Sequence, residues 1–214
     1  MFHYHVLEQA EVCKTVAEAV ADCTLVIGTG TRAHRKPEQT VIPLPELEPL
    51  IVAELARGGR VALVFGPEKR GLTREDLALC HMFVEIPTDP RQPSMNLGQA
   101  VAVCLYELAA RGKTDDHRRD ENAARMAHAN PAEQADPAST RDPACAHDLE
   151  LLADVVAETM RAANYSPATM QKANRHDLDL LLRRIALTRS DARRILGLFR
   201  RILWRLTRRI GLKD

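Results

Sequence analysis

No apolar run in these 214 residues approaches the roughly 20 needed to cross a bilayer, and the longest, such as Val61 to Phe65 and Ala100 to Leu105, fall far short. The sequence therefore predicts no membrane span. The opening Met-Phe-His-Tyr-His-Val-Leu-Glu has neither a basic leader nor an apolar h-region, so a cytoplasmic location is expected. The five cysteines (Cys13, Cys23, Cys80, Cys104, Cys145) form no CxxC pair and meet no histidines at zinc-ligand intervals, so reduced thiols and no metal are expected. Neither a GxGxxG nor a GxxxxGK[ST] occurs, which weakens any dinucleotide-binding or P-loop reading, and no repeat of solenoid period is evident. Net charge is also scarce, at +1, but it is unevenly placed: eight arginines face one acid, Asp191, between Arg189 and Arg209. Clustering of that kind favours a polyanionic partner.

What is present alternates. Over the first 110 residues short β-branched runs alternate with amphipathic stretches, the pattern of a parallel sheet covered by helices. Strands are expected at Thr24–Gly28, Arg60–Phe65 and Met82–Ile86, and helices at Thr15–Ala21, Leu47–Ala56, Thr73–Cys80 and Leu97–Ala110. Each strand runs into a polar or glycine-bearing loop: Thr29-Gly30-Thr31-Arg32, Gly66-Pro67-Glu68, and Pro87-Thr88-Asp89-Pro90. Ligands of open α/β sheets bind at the carboxyl ends of strands, so these loops are the candidate site.

From residue 113 to 147 the composition changes. Charged residues and three Asn-Pro or Asp-Pro steps, at Pro131, Pro137 and Pro143, predict a flexible linker between an α/β domain (1–112) and a helical module (148–214). Asp148 is placed to cap a helix bearing Leu149, Leu152, Val155, Val156 and Met160 on one face. A second helix fits Arg175–Leu187. A third starts near Thr188 or Ser190 and reaches about Ile210, with Ile195, Leu198, Phe199, Ile202, Leu206 and Ile210 as its apolar stripe and most arginines elsewhere.

The most informative segment is Val64-Phe65-Gly66-Pro67-Glu68-Lys69-Arg70-Gly71-Leu72-Thr73, followed by Ile86-Pro87 and then Ser94-Met95-Asn96-Leu97. Gly66 would admit a ligand to the backbone at a strand end, where a side chain would collide. Glu68 can accept hydrogen bonds from backbone amides or an arginine. Thr73 should cap the next helix, with Asp76 completing a reciprocal cap. Ser94 and Asn96 precede an apolar helix whose first amides suit a polar ligand, and either equally suits a simple N-cap.

In this order and spacing, Val61 to Leu108 resembles motifs two and three of the SpoU family of the SPOUT superfamily: FGxExxGL, then IP, then S-x-N-L before an Ala-Val-rich helix ending in Tyr106-Glu107. Val26-Ile27-Gly28-Thr29-Gly30-Thr31-Arg32 and the Arg-Arg-bearing C-terminal helices are similar to the TrmJ-type branch, which methylates a ribose 2′-hydroxyl in tRNA. The resemblance implies a trefoil-knotted α/β domain, an obligate homodimer and S-adenosyl-L-methionine as methyl donor. Carried over residue by residue, it puts Thr29, Gly30, Thr31, Gly66, Ile86, Ser94, Met95 and Leu97 around the cofactor, and Arg32, Glu68, Ser94 and Asn96 among the catalytic groups. Arg32, with Arg35 and Lys36, would hold RNA phosphate, tRNA being the expected substrate. Methyl transfer from a sulfonium needs no metal, because the donor supplies its own leaving group.

One departure is large. Family members open with a strand and an Asn-x-Gly-x-x-x-Arg helix, and this sequence starts beyond that segment, with no arginine before Arg32. A misplaced or truncated start is the expectation, and with it weak methyl transfer by the chain as written. The competing readings are a non-catalytic cofactor- or RNA-binding remnant, a nucleotide-binding enzyme of another class, and a membrane-surface role for the basic tail.

Overall fold

The computed structural model describes residues 8–31, 37–89, 91–92, 95–110 and 142–210. Four parallel strands, β1 (Leu25–Gly30), β2 (Thr40–Pro43), β3 (Val61–Val64) and β4 (Met82–Glu85), stand in the order β2-β4-β1-β3. The register pairs Ile27 with Leu63 on one side and with Met82 on the other. In a parallel sheet buried on both faces the central strand should be apolar throughout, and β1 is buried from Leu25 to Thr29.

Alternation along the strands sorts the core into two layers. Leu25, Ile27 and Val84 pack against Leu44, Leu47 and Cys104, that is, against the 3-10 turn Leu44–Glu46, helix α2 (Glu48–Ala56) and helix α4 (residues 97–110). Val26 faces the other way, toward Val20, Cys23, Cys80 and Ala146. That layer is formed by the regions of α1 (Val16–Ala19) and α3 (Arg74–Ala78) together with the start of α5 (Ala146–Ala162). His81 sits beneath this face and its Nδ1 accepts the Val26 N–H at 3.1 Å.

The expected strands and helices of the first half are present within a residue or two at most boundaries. Strand β2 is an addition. It follows from neither alternation nor length, being four residues at the sheet edge that end at Pro43. Residues 111–141, most of the expected linker, lie outside the described residues.

The C-terminal helices differ in detail from expectation. Helix α5 begins at Ala146 with Cys145 as its N-cap residue, so Asp148 lies inside the first turn and is not the cap. The first amides of α5 are satisfied by tertiary partners, Ala146 N–H donating to Cys23 O at 2.8 Å and His147 N–H to Ala21 O at 2.9 Å. Helix α6 runs Gln171–Arg184, starting and stopping earlier than expected, and α7 runs Arg189–Ile210 behind a Thr188 cap that accepts the Asp191 N–H at 3.1 Å. On α7, Ala192, Ile195, Leu196 and Phe199 pack with Leu152, Val156 and Leu182, whereas Leu198 and Ile202 of the expected stripe are exposed. Among the described residues no helix is long and apolar enough to cross a membrane, and no group of three or more His, Cys, Asp or Glu could hold a metal ion.

Candidate functional site

Strands β4, β1 and β3 are neighbours, so their carboxyl ends bring three loops together around a cavity of about 800 Å³. That volume lies in the range of small-molecule sites. Thr29, Gly30 and Thr31 line it from β1, residues 65–71 from β3, Ile86 and Thr88 from β4, and Met95, Leu97 and Ala100 from the approach to α4 and its first turn. The buried Thr29 hydroxyl donates to Val64 O at 2.9 Å, tying the ends of β1 and β3 across the cavity floor.

The loop after β3 folds back on itself. Pro67 O accepts the Gly71 N–H at 2.6 Å and the Arg70 N–H at 3.2 Å, and Gly71 turns the chain with φ of +60°. This return carries Gly71 and Leu72 over Gly66, where an added Cβ would stand 2.2 Å from Gly71 C and Leu72 N. The requirement for glycine at 66 is therefore set by the chain's own backbone. The glycine was expected there for the approach of a ligand, and the chain itself already demands it. Beyond the turn Thr73 and Asp76 form the expected capping box, with Thr73 N–H donating to Asp76 Oδ2 at 3.0 Å and Asp76 N–H to Thr73 Oγ1 at 3.0 Å.

Glu68 and Asn96 meet. Glu68 Oε1 accepts Asn96 Nδ2 at 2.6 Å and the Leu97 N–H at 3.0 Å, while Asn96 Oδ1 accepts the Gly98 and Gln99 amides at 3.0 and 3.3 Å. Asn96 is thus the N-cap of α4, and Glu68 adds a carboxylate at the positive end of the same helix. Together they tie the β3 loop to the start of α4, joining two walls of the cavity.

Of the residues expected at the cofactor, Thr29, Gly30, Thr31, Gly66, Ile86, Met95 and Leu97 all line this cavity. Glu68 lines it as well, and Asn96 stands behind Glu68. Arg32 and Ser94, and with them Arg35 and Lys36, lie outside the described residues. Phe65, Lys69 and Thr88 line the cavity without having been singled out as site residues. The available signal was their position on the same loops.

Residues 2–106 match the model of the SpoU rRNA Methylase family. That segment, just under half of the chain, is similar to the SpoU methylase family. Among curated relatives, the tRNA (cytidine/uridine/adenosine-2'-O-)-methyltransferase TrmJ of Pseudomonas aeruginosa (strain UCBPP-PA14) is 40% identical over 131 residues, 56% of this chain and 49% of that protein. The tRNA (cytidine/uridine-2'-O-)-methyltransferase TrmJ of Yersinia pestis (strain Pestoides F) is 40% identical over 107 residues, 48% of this chain and 39% of that protein. The chain spans about half the length of these relatives or less. The crystal structure of TrmJ from Z. mobilis ZM4 superposes with a TM-score of 0.72 at 27% identity, covering 92% of this chain and 75% of that one, so the similarity in fold extends into the C-terminal helices.

Proposed function

We propose that the SpoU-family domain of this chain binds S-adenosyl-L-methionine and serves methyl transfer to a ribose 2′-hydroxyl of RNA, tRNA being the substrate class its relatives' names carry. The observation that carries the reading is the single cavity shared by the carboxyl ends of β1, β3 and β4. Its lining fits the donor: Phe65, Ile86, Met95 and Leu97 offer apolar surface to an adenine ring, and the doubled-back 66–71 loop and Thr29–Thr31 present backbone groups for polar edges. When bound, the donor supplies an electrophilic methyl on sulfur. This chain's residues supply shape and alignment. Thr29 fixes the floor, Glu68 and Asn96 hold the loop against α4, and Arg70 and Lys69 put positive charge at the rim where RNA phosphate would pass. Arg32, Glu68, Ser94 and Asn96 remain the proposed catalytic groups, with Arg32 holding RNA phosphate. The family's knot and a cytoplasmic homodimer belong to the same reading. Support for the dimer comes from α4, where Leu97, Val103, Leu105 and Tyr106 are exposed.

Calorimetric titration with S-adenosylmethionine and S-adenosylhomocysteine tests the cavity, and saturable one-to-one binding is expected. A folded protein that binds neither overturns the assignment. Labelled methyl recovered in RNA at alkali-resistant linkages is the expected product of ribose 2′-O-methylation, and label recovered on bases refutes the reaction class. Sedimentation at micromolar concentration should give the mass of two chains.

A further inference from the structure

The sole tryptophan of the sequence, Trp204, is in an unusual place. Helix α7 turns by about 100° per residue, which puts Trp204 about 140° around from Phe199, the residue packed into the helical core. A tryptophan of an amphipathic helix normally belongs on the apolar side. This one is 46% exposed on the opposite side, where Arg200, Arg201, Arg205 and Arg208 are its neighbours at helical spacing. The Arg201 guanidinium carbon lies 5.0 Å from the ring centroid and that of Arg208 lies 4.6 Å from it. Both are within cation-π range.

Among the described residues these arginines form no ion pair with an acid. After Asp191 the described part of α7 has no carboxylate, and that residue's partner on the helix is Arg194, at 3.8 Å. Stacking on an indole keeps a guanidinium flat and leaves its N–H edges outward, the arrangement that meets phosphate oxygens in pairs. A membrane-bound helix would carry its tryptophan with the apolar stripe, so the position of Trp204 separates a polyanion from a lipid surface.

We infer that Arg201, Trp204 and Arg208 form a docking surface for the RNA phosphodiester backbone, with Trp204 holding the two guanidiniums in register. The inference rests on the RNA-directed reading of the chain and assigns to it a contact surface apart from the cofactor cavity. By holding both guanidiniums in place before RNA arrives, the indole should strengthen binding about five-fold or more.

Because Trp204 is the sole tryptophan, its emission reports this surface directly. The full chain is titrated with unfractionated tRNA at several salt concentrations, and separately with phosphatidylserine vesicles. A saturable change in Trp204 emission with tRNA is expected, weakening as salt rises. Trp204→Ala should bind labelled tRNA about five-fold or more weakly, Trp204→Phe should restore most of that affinity, and the circular dichroism of both should match the parent. Arg201→Ala with Arg208→Ala should lower the slope of log affinity against log salt by roughly 1.4–1.8, the loss of two phosphate contacts. Binding of tRNA with no change in Trp204 emission and no loss in Trp204→Ala overturns the inference. So does a response to vesicles without one to tRNA, or no tRNA binding at all. Cofactor calorimetry on the same samples keeps the outcomes separate: tRNA binding without cofactor binding sinks the cavity assignment and leaves this surface standing.

Discussion

Replacing Gly66 by alanine perturbs the site through the chain's own backbone. The added methyl would stand 2.2 Å from Gly71 C and Leu72 N, whereas carbon atoms pack comfortably at about 3.5–4.0 Å. Relief requires the 70–72 segment to retreat by more than an ångström, and no flexible side chain can absorb the shift because the opposing atoms are backbone. Leu72 is buried against Leu77 and Phe83, so the retreat also disturbs that cluster. Overpacking of this kind costs about 1–3 kcal/mol. For a chain of this size each kcal/mol lowers Tm by about 2–4 °C, so differential scanning fluorimetry should show a fall of roughly 2–12 °C. Affinity for S-adenosylhomocysteine should drop at least about tenfold, since alignment at a site tolerates little displacement of its walls. Gly58→Ala is the control. Gly58 has φ of +76° with open space around it, so alanine there costs about 1–2 kcal/mol in left-handed strain and should leave binding intact. If Gly66→Ala keeps both Tm and affinity, the folded-back loop is wrong. If the two variants lose binding in proportion to stability alone, the loop does not shape the cavity.

Other predictions address local structure. Gly197 lies in the interior of α7 with nothing within 4 Å of an added Cβ, so Gly197→Ala should raise the urea midpoint by the equivalent of about 0.5–1 kcal/mol. Thr73→Ala removes half of the capping box of α3 and should cost about 1 kcal/mol in the same assay. Burial, reinforced by the Arg183 charge, lowers the pKa of His81 to about 4 from its usual 6.5. The unfolded chain therefore takes up this proton below about pH 6.5 and the folded chain only near pH 4; stability is full above that window and falls through it by at most about 1.4 kcal/mol per pH unit, partial exposure of the residue making this a ceiling. In His81→Gln the difference between urea midpoints at pH 7 and pH 5 should shrink, and an unchanged difference would refute the assignment.

The parts legible in the sequence are those decided by local patterns. Apolar β-branched runs fixed β1, β3 and β4, and the loops after them named most of the cavity lining before its walls could be seen. Thr73 and Asp76 announced their cap through spacing alone. What stayed hidden depends on contacts distant in sequence. Strand β2 is four residues whose partner, β4, starts about forty residues later, and Val41 and Ile42 alone make too short a run to register. Gly66 carried the right residue for a reason no local reading could supply, because Gly71 and Leu72 reach it only through the turn at Pro67. Arg183, one of an Arg-Arg pair that local sequence does not place, is buried and its guanidinium donates to Asp179 O at 3.0 Å.

The start of α5 shows why that distinction matters for function. An acid before an apolar run makes Asp148 a natural cap, its carboxylate accepting the first amides. Those amides are instead taken by Cys23 and Ala21 carbonyls at the foot of β1, and Ala146 fills a place among Val20, Cys23, Val26 and Cys80. A second tie lies further along: Glu38 accepts Arg74 of α3 at 2.7 Å and faces His176 Nε2 of α6 at 3.2 Å. Helix α7 joins this assembly through Arg189, whose N–H donates to Asp142 O at 2.8 Å, and through its core with α5. The arginine face of α7 is consequently carried on a scaffold that shares its core with the central strand of the sheet, and β1 also supplies Thr29, Gly30 and Thr31 to the cavity. A polyanion held at α7 would thus be held by the body that contains the cavity.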